Sequence, residues 1–440
     1  MTDIRVPNDF VAVAMAQLST VPQNHTPKDF VAIDMTHVST VTNGNLNKET
    51  QDRDVNLRHE FRHIFRLMGL FGLYFTPQKW RKQNDTGSCR GFLLRSHQFY
   101  CLFVQLLMVL NGAKSITGLW YVESRLLAMQ ITAGAWYVLC AANAAILYYI
   151  CSTDKLPEFF NVWQTYCQPS SRSRMFGTCA ASVNRRKTLL FVWAIGFILS
   201  NSLFTIFSRF GPIESLQNDT HFLVAATPEP VLVWEVTAMF SMISASAAFV
   251  LPTALLLTFC SIITFQFCVF TKRFRDCMTK ETRFKGCLMS LRRQHQYLSK
   301  AVFLLDDTFS FYLAVNFGAL LVVACFLMYQ LVVAQNYRNT MTTLLTVFWL
   351  GMTSMKFALI GVLTAQVPEK AHDITNYIHD IGVFGFKGHE EVTQMNMFMA
   401  KLNGSSISLT LWGIVPLTKE FVLTVVGVYI TYFALVAQSF

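Results

Sequence analysis

The sequence predicts an all-α membrane protein with seven transmembrane helices, a cytoplasmic N-terminus, an extracellular C-terminus and long cytoplasmic helix extensions. Three observations predict it: a shortage of charge, apolar blocks as long as a bilayer is thick, and Lys and Arg concentrated in alternate connections. Charged residues are 14% of the chain and hydrophobic ones 53%, whereas soluble domains carry about 25% charged residues. A water-soluble fold has no surface for that much apolar area, so the excess faces lipid or lies in long buried helices.

Seven blocks qualify as spans, at about 20 apolar residues per crossing: Gln98–Leu119, Leu126–Ile150, Thr188–Phe207, Val231–Phe270, Phe309–Ala334, Met341–Ala365 and Phe421–Phe440. The fourth exceeds one crossing. Its expected form is a single tilted helix continuing past Pro252 out of the membrane, with two spans as the alternative. Lys and Arg number nine over Arg53–Arg95, six over Cys151–Lys187, nine over Thr271–Thr308 and three over Val367–Ser405, while the alternate loops hold only Arg125, Arg209 and Arg338. The basic segments are therefore assigned to the cytoplasm. The net charge of +10 belongs to those segments and not to nucleic-acid binding.

Ahead of the spans, residues 1–52 read as a polar, disordered cytoplasmic tail and 53–96 as a basic cytoplasmic pre-membrane segment, with 97–440 as the membrane domain. The tail contains a tandem near-repeat, Pro7 to Val21 against Pro27 to Val41, read as a duplicated loose segment or as a twofold docking site. It has no short apolar core with a small-residue cleavage site, so the first span is expected to direct insertion. The eleven cysteines scatter through spans and basic loops and form no disulfide framework. Asn218-Asp219-Thr220, in an outer loop, is the glycosylation acceptor that reports topology; Asn24, Asn84 and Asn403 fall on the inner side.

His59-Glu60-Phe61-Arg62-His63 matches the zinc-peptidase pattern HExxH, which places two imidazoles one helical turn apart. Arg58, Arg62 and Arg66 would repel a divalent cation, so a solvated basic helix with a chance match is the preferred reading and a membrane zinc peptidase the enzyme alternative. No cysteine pair has metal-site spacing and no phosphate loop or nucleophile elbow is present. The sequence therefore implies neither metal, cofactor nor catalysis.

Lys356 lies inside the sixth span, about nine residues or roughly 14 Å from its inner end. An intramembrane cation faces a wet cavity or a partner, and Asp306 or Asp307 are the expected partners, in a packing ion pair or a gating element. Trp136, Trp234, Glu235, Phe240, Tyr329 and Trp349 fall on outer halves of spans and suit an aromatic-walled ligand site, or a membrane-interface belt. In the last span Thr424, Val428, Thr431, Leu435 and Gln438 recur at helical spacing, forming a polar-bearing stripe that lines a pore or bonds to a neighbouring helix.

The C-terminal run Thr431-Tyr432-Phe433-Ala434-Leu435-Val436-Ala437-Gln438 resembles the signature that ends the seventh helix of insect-type gustatory receptors, a family with nematode members. Ser439 here precedes Phe440, displacing the family's final aromatic by one position, and Phe433 stands where sugar-receptor members have glutamate. The resemblance implies a homo- or hetero-tetrameric, ligand-gated, non-selective cation channel of the plasma membrane. Gln438 would line or close its pore, Thr431 and Tyr432 would support the gate, and a small-molecule pocket would lie among the outer halves of the second to sixth spans. The stimulus stays open, a tastant, odorant, carbon dioxide, light or oxidant. A seven-helix G-protein-coupled receptor, with opposite orientation, is the alternative from another class.

Overall fold

The computed structural model describes residues 61–76, 88–117, 124–163, 176–210, 232–278, 287–333, 340–379, 389–404 and 407–438. All of them belong to one unit, Val55–Phe440. The N-terminal repeat, His59, Glu60 and Asn218 lie outside the described residues.

Seven long helices answer to the seven apolar blocks. They are α2 (Ser88–Thr117), α3 (Ser124–Ser152), α5 (Phe176–Phe210), α6 (Leu232–Asp276), α7 (Leu288–Val333), α8 (Thr340–His372) and α11 (Lys419–Gln438). Six are long and apolar enough to cross a bilayer; the 20-residue α11 carries charge only at Lys419 and Glu420, its first two residues. Short elements complete the described chain: α1 (Arg62–Leu70), α4 (Lys155–Val162), α9 (Ile374–His379), α10 (His389–Gly404) and a hairpin of β1 (Thr410–Leu411) and β2 (Val415–Pro416).

The fourth block is one continuous helix, so the two-span alternative fails. At 45 residues, α6 is about 68 Å long, roughly twice the hydrocarbon thickness. Pro252 does not break it, although proline removes the N–H that would bond to the carbonyl four residues earlier. That carbonyl, of Ala248, instead accepts from Asn143 Nδ2 of α3 at 3.3 Å. Ser241, Ser244, Ala245, Ser246, Ala247 and Ala248 are all buried; small side chains allow helices to approach closely. α6 is accordingly the hub, packed against α2, α3, α5, α7 and α8.

The helices also extend beyond the apolar blocks at one end, where the C-terminal part of α6 and the N-terminal part of α7 meet α9 and α10. His295 sits there at 2% exposure among Phe267, Phe270 and Phe398, its Nε2 donating to the Ala371 carbonyl at 3.3 Å. Arg292 donates to Gln394 Oε1 of α10, and burial, with Arg292 nearby, lowers the pKa of Lys401 on the same helix. We call this end the anchor end.

The basic pre-membrane segment contributes to the core as well. α1 turns Phe61, Ile64, Phe65 and Met68 inward, with Phe61 stacked on Phe259 of α6 at 4.4 Å, while Arg62, His63 and Arg66 point outward. Gly72 closes the turn after α1 at φ +68°, where a Cβ would lie 2.7 Å from Val104; a side chain fits there neither conformationally nor sterically.

Candidate functional site

Two features bear on function: a cavity in the half of the bundle opposite the anchor end, and the uncovered surface of α11. The cavity, of about 40 Å³, is walled by α3, α5, α6, α7 and α8, the second to sixth spans. Trp136, Phe197, Phe249 and Trp349 supply aromatic faces, with Met242, Leu327 and Met352 between them and Thr132, Asn201 and Thr353 as polar members. Polar contacts fix the walls: Trp349 Nε1 donates to Asn201 Oδ1 at 3.3 Å, Gln330 Nε2 to Thr132 Oγ1 at 2.6 Å and the Tyr137 hydroxyl to Met242 Sδ at 3.1 Å. A mostly apolar recess with a few placed polar groups is the usual composition of a small-molecule site.

Of the six residues expected to bind ligand, Trp136 and Trp349 line this cavity. Phe240 and Tyr329 do not; they are 36% and 41% exposed on helices whose outer surface meets lipid. Trp234 and Glu235 belong to the first turn of α6, and their side chains lie outside the described residues. Phe197, Asn201, Phe249 and Met352 were not singled out, because nothing local distinguishes a cavity-facing Phe or Met from the many in these spans. Asn201 had a usable signal, as an amide in an apolar block that must find a partner.

One helical turn toward the anchor end from Met352 and Thr353 lies Lys356, fully buried. Its Nζ donates to Asn316 Oδ1 at 2.8 Å and sits 3.7 Å from the centroid of the Phe249 ring, whose other surroundings include the cavity. Asn316 Nδ2 in turn donates to Asn143 Oδ1 at 2.8 Å and to the Tyr312 carbonyl at 2.9 Å. The expected carboxylate partners are thus corrected. Asp306 accepts from the Thr410 backbone N–H at 2.6 Å and the Thr410 hydroxyl at 2.8 Å, pinning the hairpin to α7, and Asp307 pairs with Lys155 at 2.9 Å. Both aspartates sit at the anchor end, so geometry rules them out, and a ring face with an amide oxygen serves the cation instead.

Among the described residues α11 packs mainly along one side, against α7 and α8. Phe421, Val422, Val425, Tyr429 and Tyr432 are half-buried on that side. It meets α8 closely at Gly361, where an added Cβ would stand 2.9 Å from Val422 Cγ1. About a third of a turn away runs the stripe of Thr424, Val428, Thr431, Leu435 and Gln438, all exposed. A third, wholly apolar side of Leu423, Val426, Ile430 and Phe433 is exposed too. The two threonine hydroxyls bond back to their own helix, at Glu420 and Gly427, so they tolerate an apolar setting; Gln438 has no hydrogen-bond partner among the described residues.

This arrangement of helices has been seen before. A solved structure of the insect olfactory receptor OR5 from Machilis hrabei superposes with a TM-score of 0.68 at 16% identity, covering 88% of this chain and 100% of the receptor. The chain has the insect olfactory receptor fold. A second structure of that receptor, in complex with eugenol, matches over the same shares with a TM-score of 0.62 and 16% identity. No protein-family model and no curated protein matches the sequence.

Proposed function

We propose that this chain is a subunit of a tetrameric, ligand-gated, non-selective cation channel of the gustatory-receptor type, in the plasma membrane with its anchor end in the cytoplasm. The observation that carries this reading is the surface of α11. An apolar helix held mainly on one side, ending in Thr431-Tyr432 and Gln438 and presenting a polar-bearing stripe, is what a subunit looks like when its copies close a pore around an axis. The fold of an insect chemosensory receptor and the segregation of basic connections support the same reading.

The ligand is a small organic molecule entering among the second to sixth spans, a class supported by the eugenol complex of the structural neighbour. The closed cavity of about 40 Å³ is far below the roughly 300 Å³ of a typical ligand pocket, so binding requires its walls to part. Met352 has the rotameric freedom to yield, while Trp349 and Met242 are tethered. Expansion shifts α8, which carries α11 at Gly361, and a ligand that prefers the expanded form shifts the population toward a wetted pore. The Gln438 amide oxygen then faces permeating cations, and Phe433 after Thr431-Tyr432 argues for a ligand other than a sugar.

The test is current recording from Gln438 variants in cells or bilayers. Gln438→Glu and Gln438→Ala are expected to change single-channel conductance or cation selectivity while the protein still assembles. Unchanged permeation in both would remove α11 from the pore.

A further inference from the structure

At the anchor-side ends of four spans the surface opens into a groove of about 640 Å³, formed by α5, α6, α8 and α11. It coincides with the places where hydropathy puts the inner membrane boundary: Arg186 stands just before Thr188, and Lys370 and Lys419 lie close to Ala365 and Phe421. The groove has two chemistries. Its wall is apolar, including Phe265, Val362, Val422 and Leu423, and its rim holds three cations, Arg186, Lys370 and Lys419, against one carboxylate, Glu369.

The rim is not neutralised evenly. Lys419 pairs with Glu369 at 2.8 Å and Lys370 with Asp373 at 2.7 Å, whereas Arg186 donates to the neutral Gln366 Oε1 at 3.5 Å. A guanidinium presents five donors suited to phosphate geometry, and the one weak amide contact it makes among the described residues leaves most of them available. A second observation comes from the wall. Thr264, 5% exposed, lines the groove with a buried hydroxyl that has no hydrogen-bond partner among the described residues. A buried hydroxyl calls for a hydrogen-bond partner, and a polar atom entering the groove could supply it.

We propose that this groove holds an anionic phospholipid of the inner leaflet, with the phosphate at Arg186 and an acyl chain along the apolar wall. Inside a membrane the only abundant molecule joining an anion to a long apolar tail is such a lipid, and the leaflet it would come from carries the negative surface potential. The inference rests on the membrane orientation proposed above. It also gives the lipid a role, because Val422 and Leu423 belong to the base of α11, so an occupied groove braces the last helix against α8.

Native mass spectrometry of the purified chain, with phosphatidylglycerol and phosphatidylcholine of identical acyl chains supplied in turn, tests it. The wild type is expected to retain one phosphatidylglycerol per chain in preference to phosphatidylcholine. Arg186→Gln should weaken that retention about fivefold, the effect of one cation near a surface, with Arg186→Lys restoring part of it. Val362→Trp, which fills the wall, should weaken both lipids. Equal retention of the two lipids, or no change in R186Q, would overturn the proposal, as would competition by millimolar inorganic phosphate, which would reveal a free-anion site. Retention is read per chain, so a monomer that keeps its lipid counts against the tetramer alone, and a tetramer indifferent to lipid charge counts against the groove alone.

Discussion

Lys356 shows how a residue's chemistry and its partner are legible to different degrees. Its intramembrane position follows from the hydropathy of Met341–Ala365, but its acceptor comes from Asn316, 40 residues away, and the amide chain continues to Asn143, 173 residues from Asn316. Sequence pairing by charge pointed to Asp306 and Asp307, which geometry assigns to Thr410 and Lys155. The available signal was the presence of single asparagines in two otherwise apolar spans, since buried amides require partners. The site makes opposite predictions for its members. Asn316→Ala removes the one hydrogen-bond acceptor that a buried cation has among the described residues and should destabilise the protein by about 2 kcal/mol. Lys356→Met removes the buried charge itself and should be neutral or stabilising by about 1 kcal/mol. Thermal unfolding in detergent distinguishes them, and a Lys356→Met chain that unfolds earlier than Asn316→Ala would mean that the cation has a stabilising partner beyond those described.

Among elements, the seven long helices were readable from block length, whereas the continuity of α6 was the expected form with two spans left open, and the structure decides it. The helix extensions were less readable, because hydropathy falls where a helix leaves the membrane and its buried face becomes a stripe, as around His295. The hairpin at 410–416 has strands of two residues, too short for a period-2 pattern, and α1 was read as a solvated basic helix although its other face stacks on α6. What no periodicity conveys is which faces meet. The contact between α8 and α11 depends at one point on a glycine: Gly361 has no Cβ, and Val422 occupies the space one would need. Gly361→Ala should therefore push the base of α11 outward and weaken the pair by about 1–3 kcal/mol. Val422→Ala in the same chain should restore stability, read as a non-additive double-mutant cycle. Additive effects would show that the two helices do not bear on each other there.

The whole molecule was the most legible in class and the least in assembly. Composition, block length and the Lys and Arg distribution define a seven-helix membrane protein, and the insect olfactory receptor fold agrees with them. The cavity was anticipated only in its neighbourhood, since two of its walls, Trp136 and Trp349, were named, while the orientation of the rest depends on helix rotation that sequence does not encode. The uncovered sides of α11 raise the central claim. A helix with one docked side, one polar-bearing side and one apolar side is explained when its copies surround an axis, the polar-bearing stripe inward. The measurement that tests this most directly is the oligomeric mass of the purified full-length protein in nanodiscs, with images of the same sample. The account predicts four chains around a central axis formed by α11. A stable monomer whose α11 faces lipid on both uncovered sides would contradict it.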